Sequence, residues 1–401
     1  MSRIVIIGAG HAGGAAAALL RQYGHAGPIL LAGAETAPPY QRPPLSKAWL
    51  KGEADLEDLL LRPESFYVEK DIALRTGVMA TAIDRDAKTV TFADGTVEPY
   101  DVLILALGST ARRLALPGAD RPDLLELRTL EDAERLKAAL GPGRRLAVVG
   151  GGYVGLEAAA SARALGAEAV VIERMDRVLA RVASATLSDH FTARHRAEGV
   201  EILTGVEVTG FEDAGVRLAD GRRIETDVVL VGVGALANAA LAAEAGLVCA
   251  DGVVVDEAAR TSDPSIYALG DMTRRPVPVH DSVFRLESVP NALEQAKQAA
   301  AAITGRPAPA PEVPWFWSDQ YDLKLQIAGL PFAADRQIVR GDPSAPGFAV
   351  FHMAGDRIVC VEAVNASAEF MAGKLFIARR TPIDVVRLAE TAQPMKSVAQ
   401  D

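Results

Sequence analysis

Short, wholly apolar runs alternate along this chain with stretches of helical period. Ile4 to Ile7 is too short for a helix and ends at glycine, so it predicts a buried strand. An Ala-rich helical stretch follows, Gly24 stops it, and Pro28 to Ala32 resumes a strand. The same succession returns at Arg145 to Val149, with an Ala-rich stretch ended by Gly166 and a strand at Ala169 to Ile172. Further buried strands are predicted at Tyr100 to Leu107, Val228 to Val233 and Ile266 to Leu269. Ile83 to Phe92, the Asp94-Gly95 turn and Val97 read as a hairpin. Thr129 to Leu140 is a helix with acids early and Lys137 late, and Asn291 to Thr304 is a second, with Pro290 in its favoured first turn. Residues 37–48 are too Pro-rich for helix and form a stiff loop that delivers Arg42 and Lys47. After the extended run Arg306 to Pro311 the character changes, with alternating patterns around 324–330 and 347–364 and a helical end.

The glycines turn this pattern into chemistry. Gly8, Gly10 and Gly13 make G-x-G-x-x-G between the first strand and its helix. The first permits a tight turn, the second lets a pyrophosphate approach the backbone, and the third lets the helix pack on the strand. The helix start offers free N–H groups and the positive end of its dipole to an anion. Gly150, Gly152 and Gly155 repeat the motif position by position around Tyr153 and Val154. Two such turns, each between a strand and a helix, predict two dinucleotide sites.

An acidic side chain at the end of the next strand binds the adenosine ribose in such folds. Glu173 holds that place in the second site, and it favours NADH by repelling a 2′-phosphate. Arg174 and Arg181 lie nearby, either to accept a phosphate or as a solvated loop face. In the first site Gly33-Ala34-Glu35 stands there, and Glu35 is either the ribose ligand or a solvated loop carboxylate. Gly232 and Gly234 close the strand that leads into a second crossing between domains.

The fold class is therefore α/β, with two Rossmann-like dinucleotide-binding domains and a small C-terminal α+β domain. Residues 1–112 with 236–311 form the first, 113–235 the second and 312–401 the third. Length and an ordinary hydrophobic content of 49% allow a core for each. The net charge of −10 argues against nucleic acid or an anionic membrane as the main partner. Cys249 and Cys360 make neither a disulfide framework nor a metal site, which fits a reducing compartment. Arg3 and the Ala-rich run after it imitate a signal peptide, but cleavage there would destroy the glycine motif, so a cytoplasmic protein is expected.

Taken together, the chain resembles the FAD- and NADH-dependent ferredoxin reductases of the putidaredoxin reductase type, among the glutathione-reductase-like flavoproteins. The residues that carry the resemblance are the two glycine motifs, Arg42-Pro-Pro-Leu-Ser-Lys47, Leu105-Ala-Leu-Gly-Ser109, Gly150 to Glu157, the stretch ending Gly270-Asp271, Glu287 to Glu294 and Trp315 to Tyr321. The resemblance implies FAD in the first site and NADH in the second. It places the flavin against Lys47, the ribityl chain against Asp271, and Arg42, Arg128 and the backbones of Ala12, Ala80 and Val289 along the FAD. It pairs Glu157 with Lys47, both tuning the flavin environment, and sets Trp317 beside the flavin. Where Ala34 stands the family usually has an acid, and Ala237-Asn238 replaces its usual Pro-Asn.

The implied reaction carries electrons from NADH through FAD to a 2Fe–2S ferredoxin, which feeds a haem-thiolate monooxygenase or a ring-hydroxylating dioxygenase. Residues 36–48 hold no cysteine, which argues against a disulfide reductase or a cysteine peroxidase of the same fold. A rubredoxin reductase and an NADH-sensing flavoprotein similar to apoptosis-inducing factor stay as alternatives. Arg285, Lys297, Lys324, Arg336, Arg340, Arg379 and Arg380 are candidate docking residues for an acidic ferredoxin, or ordinary solvated charges.

Overall fold

The computed structural model describes residues 2–400. Its contacts divide the chain into two compact units. The first comprises residues 1–41, 56–110 and 236–314; the second comprises 42–55, 111–235 and 315–401.

The first unit is built on a five-stranded parallel sheet in the order Ile266–Ala268, Val102–Leu105, Ile4–Ile7, Ile29–Ala32 and Ile72–Arg75. Ile4–Ile7 is central and buried on both faces, which is why its four residues are all apolar. The chain leaves it in one direction first and in the other later, so the strand order reverses beside it. Ligands bind at the carboxyl end of such a switch strand. The helix His11–Gln22 packs through Ala16 and Ala17 in one core with Ala296, Ala299 and Ala300 of the helix Val289–Ile303. Small residues on both sides let the two backbones approach closely.

The second unit repeats the plan. Val200–Thr204, Glu168–Glu173, Arg145–Val149, Val228–Val231 and Leu124–Leu125 make a parallel sheet with Arg145–Val149 at the switch. A five-stranded antiparallel sheet follows in the order Trp315–Gln320, Leu323–Gly329, Arg357–Val364, Phe348–Ala354 and Arg336–Arg340. Its inner face, Leu325, Ile327, Phe348 and Val350, shares one core with Leu156, Ala159 and Phe191. This explains why residues 315–401 group with 111–235: both stretches bury their apolar faces in the same interior. Each fully buried Leu, Ile or Phe contributes about 1.5–3 kcal/mol.

Three details differ from the pattern reading. The expected strand Ile83 to Phe92 is two strands, Ala80–Asp84 and Thr89–Phe92, because Asp84 accepts from the amides of Asp86 and Ala87 and turns the chain. The helix expected from Asn291 starts at Val289, since Ser288 caps it by accepting from the Asn291 amide at 3.2 Å. Thr129 is the cap of its helix and not its first residue, and it forms a capping box with Asp132. Among the described residues no helix is long and apolar enough to cross a membrane.

Candidate functional site

In the first glycine turn the three glycines are demanded by different things. Gly8 has φ +108°, and a methyl group there would overlap the carbonyl oxygen of Ala106. One on Gly13 would overlap the carbonyl oxygen of Gly8. These two are required by the fold. Gly10 is not: its φ is −90°, which any residue adopts, and no protein atom lies within 4 Å of where its Cβ would stand. It caps the helix His11–Gln22, whose first turn has no side-chain cap and no acidic residue. A bare, uncapped helix start behind an open glycine fits a pyrophosphate.

The second turn is a copy. Gly150 has φ +111° and faces the carbonyl oxygen of Gly232, and Gly155 faces that of Gly150. Gly152, at φ −81°, has nothing within 4 Å, and its helix Tyr153–Ala164 also lacks a side-chain cap. Glu173 is fixed beside this turn. Its carboxylate accepts from the amide of Gly151 at 2.7 Å and from that of Met175 at 2.8 Å. The guanidinium of Arg181 lies 3.7 Å from where a Cβ on Gly234 would stand, and Arg174 is exposed next to Glu173. Val154 is 46% exposed, while the Tyr153 ring meets Phe316 edge-on at 4.6 Å.

Around the first turn, Asp271 sits in the short turn Gly270–Met272 after the strand Ile266–Ala268 and accepts from Ser109 Oγ at 3.1 Å. Gln295 braces this turn, its Oε1 accepting from the Gly270 amide at 2.8 Å and Thr273 Oγ1 at 2.9 Å. Glu35 is half-buried and accepts from Tyr40 Oη at 2.6 Å, whereas Ala34 is exposed and brings no polar atom. Ala12 is buried, and Ala80 and Val289 are half-buried, each at the head of its strand or helix.

The second unit holds a compact charged cluster. Glu157, on the inner face of Tyr153–Ala164, is 5% exposed. One oxygen accepts from Lys47 Nζ at 2.6 Å and Ser46 Oγ at 2.5 Å; the other accepts from Ser318 Oγ at 2.6 Å. Lys47 Nζ also donates to the Pro43 carbonyl at 3.0 Å. One helical turn on, Ser161 Oγ donates to the Ser46 carbonyl at 2.7 Å, so the proline loop is clamped at i and i+4 of one helix face. In the same loop Arg42 donates to the Arg128 carbonyl at 2.5 Å. Trp317 is half-buried on the strand Trp315–Gln320, with its ring 5.7 Å from that of Trp315. Ser46 and Ser318 escaped the sequence reading although both lie inside motifs it singled out. Serine beside a charged residue carries no signal of its own.

Arg340 is a correction. It was expected on a docking surface, but it is 5% exposed. Its guanidinium donates to the carbonyls of Leu388, Glu390, Thr391 and Gln393 at 2.6–3.3 Å and pairs with Glu369. It pins the C-terminal segment. Arg340→Ala is expected to destabilise the protein by about 3 kcal/mol, since the buried Leu388 carbonyl and three partly buried ones lose a charged donor. A urea titration, with early proteolysis beyond residue 380, checks it.

Of the remaining candidates, Arg285 pairs with Glu287 and Asp251, and Lys297 with Glu312 at 2.7 Å. Arg336 donates to the Gly355 carbonyl. Lys324, Arg379 and Arg380 are exposed. Both cysteines are free thiols, and burial pushes each thiol pKa up, that of Cys360 far up, so neither is poised as a nucleophile.

Comparison with known proteins bears on this geometry. Residues 2–296 match the family model "Pyridine nucleotide-disulphide oxidoreductase", and residues 315–399 match "Reductase C-terminal". A probable ferredoxin reductase, CtmF, of Castellaniella defragrans is 52% identical over 99% of this chain and 98% of its own length. Putidaredoxin reductase CamA of Pseudomonas putida is 41% identical over 98% and 96%. Among solved structures, the covalent putidaredoxin reductase–putidaredoxin complex superposes with a TM-score of 0.96 at 41% identity, covering 99% of this chain and 98% of that one.

Proposed function

The chain belongs to the pyridine nucleotide-disulphide oxidoreductase family, among its ferredoxin reductases, and from that premise we infer that it passes electrons from NADH through FAD to a 2Fe–2S ferredoxin. It is an FAD-dependent oxidoreductase and takes FAD and NADH as its cofactors. The observation that carries the reading is the pair of open glycines. No packing or backbone strain requires glycine at Gly10 or Gly152, and each heads a helix without a side-chain cap.

Gly8, Gly10 and Gly13 are assigned to the FAD pyrophosphate, Asp271 to the ribityl hydroxyls and Glu35 to the adenosine ribose. Gly150, Gly152 and Gly155 are assigned to NADH. Glu173 would accept from the ribose 2′-hydroxyl, and its charge would disfavour the 2′-phosphate of NADPH. FAD, when bound, accepts an electron pair and gives electrons up singly, which is the step-down a one-electron partner needs. The protein supplies no nucleophile. Its side chains would hold and orient the two cofactors, and Lys47, held in place by Glu157, is assigned to tuning the electrostatics of the FAD. The ferredoxin supplies an oxygenase, and two thiols free of disulfide fit the cytoplasm.

The test is anaerobic. The FAD-loaded protein is mixed with NADH, and a 2Fe–2S ferredoxin and a rubredoxin are offered in parallel while the cluster absorbance is followed. Rapid bleaching of the ferredoxin is expected. A bleached rubredoxin beside an unchanged ferredoxin, or a long-lived reduced complex that bleaches neither, would overturn the reading. Lys324→Glu and Arg379→Glu are each expected to raise KM for ferredoxin about tenfold, the loss of one favourable charge contact at about 1.4 kcal/mol. NADH oxidation by a small dye should not change in either variant.

A further inference from the structure

We propose that His195 is a positioning residue for the Lys47–Glu157 pair, acting through a one-way chain of hydrogen bonds that runs Tyr321, His195, Gln320, Ser318, Glu157. Every link lies within the second unit. Tyr321 Oη is 3.2 Å from His195 Nδ1, and His195 Nε2 is 2.8 Å from Gln320 Oε1. Gln320 Nε2 is 3.1 Å from Ser318 Oγ, which is 2.6 Å from Glu157 Oε1. His195, Gln320, Ser318 and Glu157 are 0–5% exposed, so water does not compete for these links.

The direction of the chain follows by elimination. Glu157 is paired with Lys47, so its carboxylate only accepts and Ser318 must donate to it. The Ser318 oxygen then accepts from the Gln320 amide nitrogen, which only donates. That turns the Gln320 oxygen to His195, and it only accepts, so His195 carries its proton on Nε2. Burial holds the His195 pKa below its ordinary value, against the pull of the Gln320 bond, so the ring is neutral and its Nδ1 accepts from Tyr321. All donors point toward Glu157, and each bond polarises the next. An amide in the middle does not hand a proton on, so the chain orients and does not conduct. The charges around its outer end are Arg194 on the helix of His195 and Glu198 just past its end, Arg163 on the helix of Glu157, and Asp322, which pairs with Arg194 at 2.9 Å.

Cutting the chain at His195 has a defined consequence. Without that donor the Gln320 amide is free to flip and to present its oxygen to Ser318. Ser318 Oγ then loses the amide donor that fixes its rotamer, and its bond to Glu157 Oε1 is no longer held in one geometry. A carboxylate held by one bond fewer is less fixed, and the Lys47 ammonium bound to it is held less tightly in place. The amine is then more accessible to a reagent at any one pH. The consequence for electron transfer rests on the assignment of Lys47 and Glu157 to the FAD; the chain itself does not.

The experiment is pulse acylation of the FAD-loaded protein with acetic anhydride across a pH series, with the Lys47 peptide quantified by mass spectrometry. His195→Phe and Ser318→Ala are each expected to raise the rate of Lys47 labelling about tenfold at pH 8, the factor expected when one hydrogen bond stops holding the pair. The double variant should go no further. His195→Gln, which restores a donor toward Gln320, should return most of the protection. His190→Phe is the control. It removes a bond to the Pro343 carbonyl from the same helix, outside the chain, and should leave Lys47 unmoved. Should His195→Phe fail to fold, Tyr321→Phe at the half-exposed end takes its place, with a rise of about threefold expected from a ring that has lost its pinned tautomer. A wild-type Lys47 profile in the His195 or Tyr321 variant, or additive effects in the double variant, would overturn the proposal. Raised Lys47 labelling in a protein that reduces no ferredoxin would leave the chain standing and remove the functional reading instead.

Discussion

Gly152→Val is expected to leave a folded protein that still carries FAD and to cut kcat/KM for NADH at least about a hundredfold, roughly 2.7 kcal/mol of lost stabilisation. The argument is the asymmetry within the glycine turn. At Gly152 no protein atom lies within 4 Å of where a Cβ would stand and the backbone is in an ordinary region, so the fold loses chiefly a favourable cap residue, about 1 kcal/mol. All of the remaining effect falls on the ligand. Gly150→Ala should do the opposite. It forces φ +111° on an alanine and drives its methyl into the Gly232 carbonyl, so stability falls by about 3 kcal/mol or more. The two variants are compared by thermal melting, flavin absorbance per protein and NADH titration. Gly10→Val is the matching probe of the first turn and should lose FAD while the apoprotein stays folded. An unchanged KM for NADH in Gly152→Val would remove the second turn from the nicotinamide site and leave Gly152 without an explanation.

How far the sequence discloses such a site depends on how local its causes are. The glycine turns are legible because their demands are met within a dozen residues: a strand, a turn, a helix start. Glu173 is legible for the same reason, and the structure ties it to the amide of Gly151. The cluster at Glu157 is not local. Its partners lie 110 and 161 residues away along the chain, and no spacing announces them. Only the resemblance to a family paired Lys47 with Glu157, and even that passed over both serines. Ser318 and Gln320 share one face of a strand by period two, yet that face is the buried one, the reverse of the usual alternation. The inversion is invisible until the strand is set against the helix of Glu157. Arg340 misleads in the same way. At the end of Arg-Gln-Ile-Val-Arg it reads as solvated charge, and only the wrapping of the last residues surrounds it with carbonyls.

Glu157→Ala should be strongly destabilising. Lys47 and Glu157 have side chains only 18% and 6% exposed, so deleting the carboxylate strands an ammonium and two serine hydroxyls in a poorly solvated place. Breaking one partner of such a pair costs about 3–5 kcal/mol. The expected loss comes from the orphaned charge and not from the attraction itself, and a double variant separates the two. Lys47→Met with Glu157→Ala leaves no unpaired charge and should recover about 2 kcal/mol of the loss, because a buried ion pair roughly breaks even against apolar groups of similar size. Glu157→Gln keeps an acceptor for Lys47 and a partner for Ser318, and should fall between. Urea titrations at one fixed excess of FAD keep the contribution of the bound cofactor constant across the series. If Glu157→Ala unfolds within about 1 kcal/mol of the wild type, the cluster is not what clamps the proline loop to the helix, and the reach of the His195 chain ends with it.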